Sequence, residues 1–600
     1  MNSNFRRRGQ SRFLPPQKLN KETVKKVLSR IWFYLRKHPG VLVFVTFAII
    51  ITSSFNLALP ILLKYVIDKY LNVTYADLTA IFIIVVSTVI ATLIVGIFSY
   101  LQSFLIAKAA SFATKELRND AFHHLTRLPI SYIDNQAHGD LISKFTNDTE
   151  TILNLIARVL PQFLIMIITL VGAVVLMIIT SWRLSIVVLI VLTLMVVVTT
   201  VISKGAQKHF IAQQAKLGSM NGILEEDISG LKAVKLYNQE ENMIKKFALV
   251  TEEYRKANFK GNLYAGMMIP LIRLVDNILY ALIVAFGALF NIRYGVSIGS
   301  IQAMTNFSRI SLRPVNSLAE IFNVIQIAIA GGERVFRIMD EKDEYQNDSQ
   351  NVLDDIKGNV KFQNVYFEYK KDLEVLKNIN FEVKSGETVA IVGPTGSGKT
   401  TIINLLTRFY DVKSGDILID GVSIYDLSKS FLRRHVGIVL QTTYLFKGTV
   451  FENIKYGKPD ATREEVIKAA KLAQVHDIIE RLPKKYDTKV KEGGLNFSHG
   501  ERQLISIART ILANPSILIL DEATSSVDTR TESQIQKSMD ILMKGRTTFV
   551  IAHRLQTIKN ADKIIVILNG EIIETGNHHE LLAKNGLYAQ MYKTQFNLNN

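Results

Sequence analysis

Gly393-Pro394-Thr395-Gly396-Ser397-Gly398-Lys399-Thr400 fits the pattern G-x-x-x-x-G-K-[ST]. The five residues before it, 388–392 (TVAIV), are apolar and β-prone, which predicts a buried strand. Residues 401–409 (TIINLLTRF) behind it carry apolar side chains at helical spacing. Strand, glycine-rich turn and helix in that order are the context a phosphate-binding loop needs. Gly396 and Gly398 let the backbone turn tightly, so that its N–H groups and the helix N-terminus face an anion. Lys399 is then placed to reach the β- and γ-phosphates of a nucleotide, and the Thr400 hydroxyl to ligate Mg²⁺. A chance glycine-rich turn would lack these flanks.

Two runs further on supply candidate chemistry. Residues 516–522 (SILILDE) read as an apolar strand ending in two carboxylates. Asp521 can hold Mg²⁺, directly or through water, and Glu522 can polarise the attacking water. His553 comes after another apolar run, 548–552, and could hold that water and Glu522 in place. Alone, a carboxylate pair after an apolar run is common, and His553 would read as a surface histidine. The signal lies in their company with the loop.

Composition bounds the rest. The chain has 600 residues, 48% of them hydrophobic, yet carries 71 Lys plus Arg against 53 Asp plus Glu. That combination fits a membrane protein with a water-exposed part. Cysteine is absent, which excludes disulfides, thiolate–zinc sites and cysteine-protease chemistry.

Residues 1–20 are basic, with Arg6, Arg7, Arg8 and Arg12, and are expected to form a disordered tail. Val24, Val27, Leu28, Ile31, Trp32 and Leu35 then recur at helical spacing among Lys and Arg, predicting an amphipathic helix at the membrane interface. Six apolar segments come next, about 41–63, 80–104, 160–179, 184–202, 269–290 and 298–329; the first four are near the length that crosses ~30 Å of hydrocarbon, and the last two are weaker because they contain charges. The first lacks a small-residue cleavage site after it and reads as an anchor. Lys and Arg number 27 across residues 1–40, 106–158 and 203–262, against three across 68–78, 180–184 and 290–299. The positive-inside rule places the N-terminus, both long loops and the phosphate-loop domain in the cytoplasm. The basic excess therefore faces anionic lipid, and nucleic acid is not required.

Both long loops keep helical periodicity, so helices 2 to 5 are expected to run far beyond the membrane. Turn signals at 128–129, 138–139 and 229–230 would let each loop end in a short crossing helix. Arg273 with Asp276, and Arg309 with Arg313 and then Glu320, lie within the last two spans. Such charges line a substrate path, form structural ion pairs, or already lie at the cytoplasmic membrane edge. Residues 21–338 thus form a transmembrane domain. Residues 339–357 are polar and mostly acidic and read as a linker. Residues 358–597 alternate strands and helices as an α/β nucleotide-binding domain.

Asn496-Phe497-Ser498-His499-Gly500-Glu501-Arg502-Gln503 precedes a clear helix, 504–512. At this place the domain resembles an ATP-binding cassette (ABC) domain, whose signature is Leu-Ser-Gly-Gly-Gln. Tyr369 resembles the aromatic that stacks on adenine, Gln441 the glutamine linking Mg²⁺ to the membrane domain, Glu492 the exporter X-loop glutamate, and 525–528 (SSVD) the D-loop. The whole chain is similar to type IV ABC exporters, the bacterial multidrug and lipid class. The resemblance implies a nucleotide site built from Tyr369, residues 393–401 with Thr401 as its last member, Gln441 and Asp521. Mg²⁺ would lie on Thr400, Gln441 and Asp521, with Glu522 and His553 catalytic. Ser498 and Gly500 would face the ATP of a second half-transporter. It also implies crossing helices near 130–139 and 227–236, and an amphipathic substrate moved across the plasma membrane by alternating access.

The signature departs from the family's pattern. Phe497, His499 and Glu501 replace Leu, Gly and Gln, while the phosphate loop, Glu522 and His553 are intact. That combination, with Ser308-Arg309 to Arg313-Pro314, resembles one subunit of heterodimeric multidrug exporters, and a heterodimer is favoured over a homodimer. An ATP-gated channel or regulator, or a lipid flippase, on the same scaffold is the alternative. Intact Glu522 and His553 argue against a protein that only binds nucleotide.

Overall fold

The computed structural model describes residues 20–71, 78–346, 348–353, 355–441, 443–521, 529–551 and 558–595. The chain divides into two compact units. One comprises Met1–Thr126 with His138–Glu341, the other Arg127–Ala137 with Lys342–Asn600.

The first unit is helical. Its helices are α1 (Lys21–Leu35), α2 (Pro39–Val66) and α3 (Leu78–Leu125). After α4 (Ile130–Asp134), which belongs to the second unit, come α5 (His138–Ser143), α6 (Thr149–Asn154), α7 (Leu160–Thr180) and α8 (Trp182–Ser229). The short α9 (Leu231–Leu236), α10 (Glu240–Tyr294) and α11 (Ile298–Asp340) complete it. The six expected segments fall within α2, α3, α7, α8, α10 and α11. Among the described residues, Pro39–Leu71, Leu78–Leu125, His138–Thr180 and Arg273–Tyr294 are long and apolar enough to cross a membrane. The apolar part of α8, Trp182–Val198, is shorter, and α11 carries more polar residues. α3 and α8 each have 48 residues and α10 has 55. At ~1.5 Å per residue each runs some 70 Å or more, over twice the hydrocarbon thickness. The expected extension of these helices is therefore present.

Helix α1 buries Val27, Ile31, Tyr34 and Leu35 against α3, α6 and α11. Its inward face is rotated from the one expected. Leu28 and Trp32 stay exposed, and Tyr34 turns inward because its hydroxyl donates to Asp120 Oδ2 at 2.9 Å. Two carboxylates tie this unit together. Asp148 is 5% exposed and takes both prongs of Arg334, from Nε (2.8 Å) and Nη2 (2.5 Å), a fork geometry that holds α11 against the 144–159 stretch. Asp68, just past α2, accepts from Gly299 N–H (2.8 Å) and Ser297 Oγ (2.7 Å), so an acid covers the exposed donors at the start of α11.

The second unit is α/β. Its strands begin with β1 (Val360–Lys370), β2 (Leu373–Val383), β3 (Thr388–Val392), β4 (Ser414–Ile419), β5 (Val422–Ser423) and β6 (Val436–Val439). They continue with β7 (Gly448–Thr449), β8 (Lys489–Val490), β9 (Ile517–Asp521), β10 (Thr547–Ile551), β11 (Lys563–Leu568) and β12 (Glu571–Gly576). One sheet has the order β2-β1-β4-β5 and is antiparallel. The central sheet runs β12-β11-β3-β10-β9-β6, parallel except for β12. Along β3, Val389 and Ile391 enter one hydrophobic core while Ala390 and Val392 enter the other. A strand covered on both faces needs a continuous apolar run, which is what 388–392 supplies.

The segment 339–357 opens with the end of α11, and its acids are docked within their own units. Asp340 meets Lys26 (2.8 Å) and Arg30 of α1. Glu344, 6% exposed at its side chain, pairs with Arg433, and Asp348 lies 3.5 Å from Arg408.

Candidate functional site

Parallel register decides which residues meet. Val439, Leu520, Val550, Ala390 and Ile564 lie in one row across β6, β9, β10, β3 and β11. All five strands run the same way, so the chain leaves each of them at the same edge of the sheet. Gln441 comes two residues after that row and Asp521 one. The loop opening at Gly393 comes three after it. The carboxyl edge of a parallel sheet is where such folds bind ligands. In sequence, Glu522 follows β9 directly and His553 comes two residues after β10. Both, with 525–528, lie outside the described residues.

The loop 393–398 leads into a helix, α12 (Lys399–Leu406). Gly398 has φ +105°, and a Cβ there would stand 2.6 Å from Leu376 Cδ2, so both conformation and space demand glycine. Lys399 Nζ donates to Gly393 O (2.8 Å) and Pro394 O (2.9 Å), holding the ammonium over the loop. Burial pushes the Lys399 pKa down, and the Asp521 carboxylate works against that fall. Ser397 Oγ is buried and has no hydrogen-bond partner among the described residues. An ammonium, an orphan hydroxyl and a tight glycine turn form a donor set that suits a phosphate. Thr400 is exposed at the first turn of α12, and with Asp521 offers the hard oxygen ligands Mg²⁺ prefers.

On the far side of α12, Tyr369 of β1 is 43% exposed and presents its ring. The Tyr369 hydroxyl donates to Thr401 Oγ1 (3.2 Å) and accepts from Asn404 Nδ2 (3.2 Å). Thr401 is 4% exposed, so it supports Tyr369 from below. Tyr369 packs edge-on against Phe367 (4.7 Å, 89°) and Tyr410 (5.0 Å, 87°), the geometry aromatic quadrupoles favour. The Tyr410 hydroxyl donates to Asp134 Oδ2 of α4 at 2.7 Å. No motif singled out Tyr410, and Asp134 was legible only as part of the crossing helix expected near 130–139; the two residues are 276 apart.

The signature stretch begins a helix at His499–Ala513 with Ser498 as its cap. Ser498 Oγ accepts from Glu501 N–H (3.2 Å), and Glu501 Oε2 accepts from Ser498 N–H (2.8 Å). This capping box is written in the sequence as S-x-x-E, a signal available without the structure. It means that the Glu501 carboxylate already occupies one donor at this N-terminus, the Ser498 N–H. His499 is half-buried, and its Nδ1 has no partner among the described residues.

Of the charges in the last two spans, Asp276 lies 3.9 Å from Arg309 of α11, whose guanidinium also stands over Tyr280 at 5.7 Å. The Asp276 partner thus comes from the next helix, whereas i,i+3 spacing had grouped it with Arg273. The side chains of Arg313 and Glu320 lie outside the described residues.

Residues 42–315 match the family model of the ABC transporter transmembrane region, and residues 376–525 match that of the ABC transporter. An uncharacterized ABC transporter ATP-binding protein of Bacillus subtilis is 40% identical over 95% of this chain and 94% of its own length. The chain belongs to the ABC transporter family. This ABC transporter is also 36% identical to an ATP-dependent lipid A-core flippase of Legionella pneumophila, over 94% of this chain and 96% of that one. A fatty acid ABC transporter ATP-binding/permease protein of Mycobacterium bovis is 41% identical over 79% of this chain and 75% of its own. Among solved structures, a bacterial Atm1-family ABC exporter with ATP bound superposes with a TM-score of 0.76 at 30% identity, covering 93% of this chain and 98% of that one. The ABC transporter is therefore a membrane-embedded exporter with an N-terminal helical domain and a C-terminal α/β ATPase domain. It hydrolyses ATP and couples that reaction to transport, and exporters of this family act as dimers.

Proposed function

We propose that the protein is one half of a heterodimeric pump that exports amphipathic small molecules or lipids across the plasma membrane, with its ATPase domain in the cytoplasm. Tyr369 stacks on the adenine and Lys399 with the 393–398 backbone holds the phosphates. Thr400, Gln441 and Asp521 would hold Mg²⁺, which would supply charge neutralisation at the phosphates. Glu522 takes the proton of the attacking water, and His553 orients it. Ser498 and Gly500 face the partner's ATP. The fatty acid and lipid A-core names of relatives support an amphipathic cargo.

The observation that carries the heterodimer is the self-capped signature helix. Glu501 sets a negative charge where a phosphate would approach, and His499 stands where a glycine would allow close contact. An ATP facing this signature is held less well than one facing the family's Leu-Ser-Gly-Gly-Gln.

Purified alone in lipid, the chain is expected to bind ATP yet turn it over at under about a tenth of the rate reached with a partner half-transporter whose signature is intact. Robust turnover by the chain alone removes the heterodimer. Tyr369→Ala is expected to weaken ATP binding about ten-fold, as loss of a base–aromatic stack does elsewhere. Equilibrium binding of a fluorescent ATP analogue measures it, and an unchanged Kd removes Tyr369 from the site.

A further inference from the structure

Segment 127–137 is inserted between helices of the membrane domain in sequence, yet it folds as part of the ATPase unit. Three contacts hold it there. Glu344 N–H donates to Arg127 O (2.8 Å), Arg127 Nε pairs with Asp343, and Tyr410 donates its hydroxyl to Asp134 Oδ2 (2.7 Å). The first two lie at the entrance to the segment. The third is on α4 itself.

Tyr410 has a second neighbour. Its ring stands perpendicular to Tyr369 at 5.0 Å and to Phe367 at 5.8 Å (77°). Tyr369 is in turn fixed at its hydroxyl by Thr401 and Asn404 of α12. One side chain therefore touches both the exposed ring assigned to adenine and the short helix that the membrane domain contributes. Burial and the Asp134 carboxylate both push the Tyr410 phenol well above its ordinary pKa, so it remains a donor across the neutral range.

We propose that Tyr410 is a positioning residue that makes the seating of α4 depend on whether a nucleobase lies against Tyr369. The proposal rests on the adenine assignment of Tyr369. A base on the exposed face of that ring fixes its tilt and removes water from its edge. The edge-to-face contact hands that constraint to Tyr410, which holds Asp134 in one geometry. A ligand shifts an equilibrium only by its differential affinity for the two states. The base supplies it here, separately from the phosphates. Such a device lets the transporter distinguish a nucleotide from a bare polyphosphate at the point where the membrane domain listens.

The test is hydrogen–deuterium exchange of the 130–136 amides in the full-length transporter in lipid. A non-hydrolysable ATP analogue is compared with inorganic tripolyphosphate, which has the charge and no base. The analogue is expected to slow exchange about five-fold, the worth of one hydrogen bond, and tripolyphosphate less than two-fold. Tyr410→Phe keeps the ring and loses the hydroxyl. It is expected to abolish the slowing while the analogue's Kd stays within two-fold. Asp134→Asn retains an acceptor and is expected to keep the slowing, whereas Asp134→Leu loses it. Equal slowing by tripolyphosphate, no slowing by the analogue in the unsubstituted protein, or full slowing in Tyr410→Phe overturns the proposal. The adenine assignment fails separately: it is lost if Tyr369→Ala leaves the analogue's Kd unchanged. If Tyr369→Ala weakens binding and Tyr410→Phe still shows full slowing, the coupling role alone is lost.

Discussion

Replacing Glu522 with glutamine is expected to lower ATP turnover roughly 10²–10⁴-fold, the range a general base contributes, while leaving ATP binding nearly unchanged. Its neighbour Asp521 is placed by the sheet. β9 ends at Asp521, whose register partner on β10 is Ile551, and Ile551 in turn faces Ile391 two residues before the phosphate loop. Asp521 therefore closes its strand at the edge where Lys399 opens α12, and Glu522 follows it in sequence. Glutamine keeps the size and a hydrogen-bonding oxygen but cannot take a proton. Binding, which depends on Lys399, the loop backbone and Tyr369, has no need of the carboxylate. The measurement is phosphate release in whichever dimer turns over, beside equilibrium binding of ATP. Turnover within ten-fold of the unsubstituted protein would move the base elsewhere. Asp521→Asn is the contrasting variant. It should raise the Mg²⁺ concentration needed for half-maximal activity, which Glu522→Gln should leave alone.

Local features of the site were legible because their cause is local. A strand buried on both faces, a turn that only glycine can make and a helix start sit within twenty residues at 388–406. The cap of the signature helix was legible too: Ser498 and Glu501 stand at capping-box spacing, though Glu501 first reads as a departure from the family's glutamine. What the sequence withheld depends on distant partners. The acids of 339–357 read as a solvated linker, since nothing nearby neutralises them. Their partners Arg433, Lys429 and Arg408 lie some 60–90 residues on, and Arg127 more than 200 before. Tyr410 looked like any aromatic after α12 until α4 came to rest against it. Asp276 was grouped with Arg273 by spacing on one helix, when the next helix supplied its cation. In each case charge or aromaticity was visible and the partner was not.

Arg433→Met is expected to destabilise the ATPase unit by about 3 kcal/mol, the lower end of the range for stranding one member of a buried ion pair. Glu344 is 6% exposed at its side chain and Arg433 22%, so both ions have given up most of their water. The guanidinium also donates from Nη1 to Tyr345 Oη (3.1 Å), from Nη2 to Arg408 O (2.8 Å) and from Nε to Thr407 O (3.3 Å), and stacks on Phe409 at 5.1 Å. Methionine replaces the aliphatic stem and the ring contact but none of those donors. Lys429 Nζ stands 3.7 Å from Glu344 Oε1, a second cation that keeps the loss from reaching the upper end. For a domain of this size the cost appears as a fall of about 6–12 °C in the unfolding midpoint, read by calorimetry on the full chain. Glu344→Leu combined with Arg433→Met removes the stranded charge as well as its partner, and is expected to regain more than half of the loss. A midpoint within about 2 °C of the unsubstituted protein in the single variant would mean that residues 342–348 are held by backbone contacts and the ion pair is incidental. A double variant no better than the single would place the cost in the carbonyls that Arg433 serves, at Thr407 and Arg408, and not in the carboxylate it leaves behind.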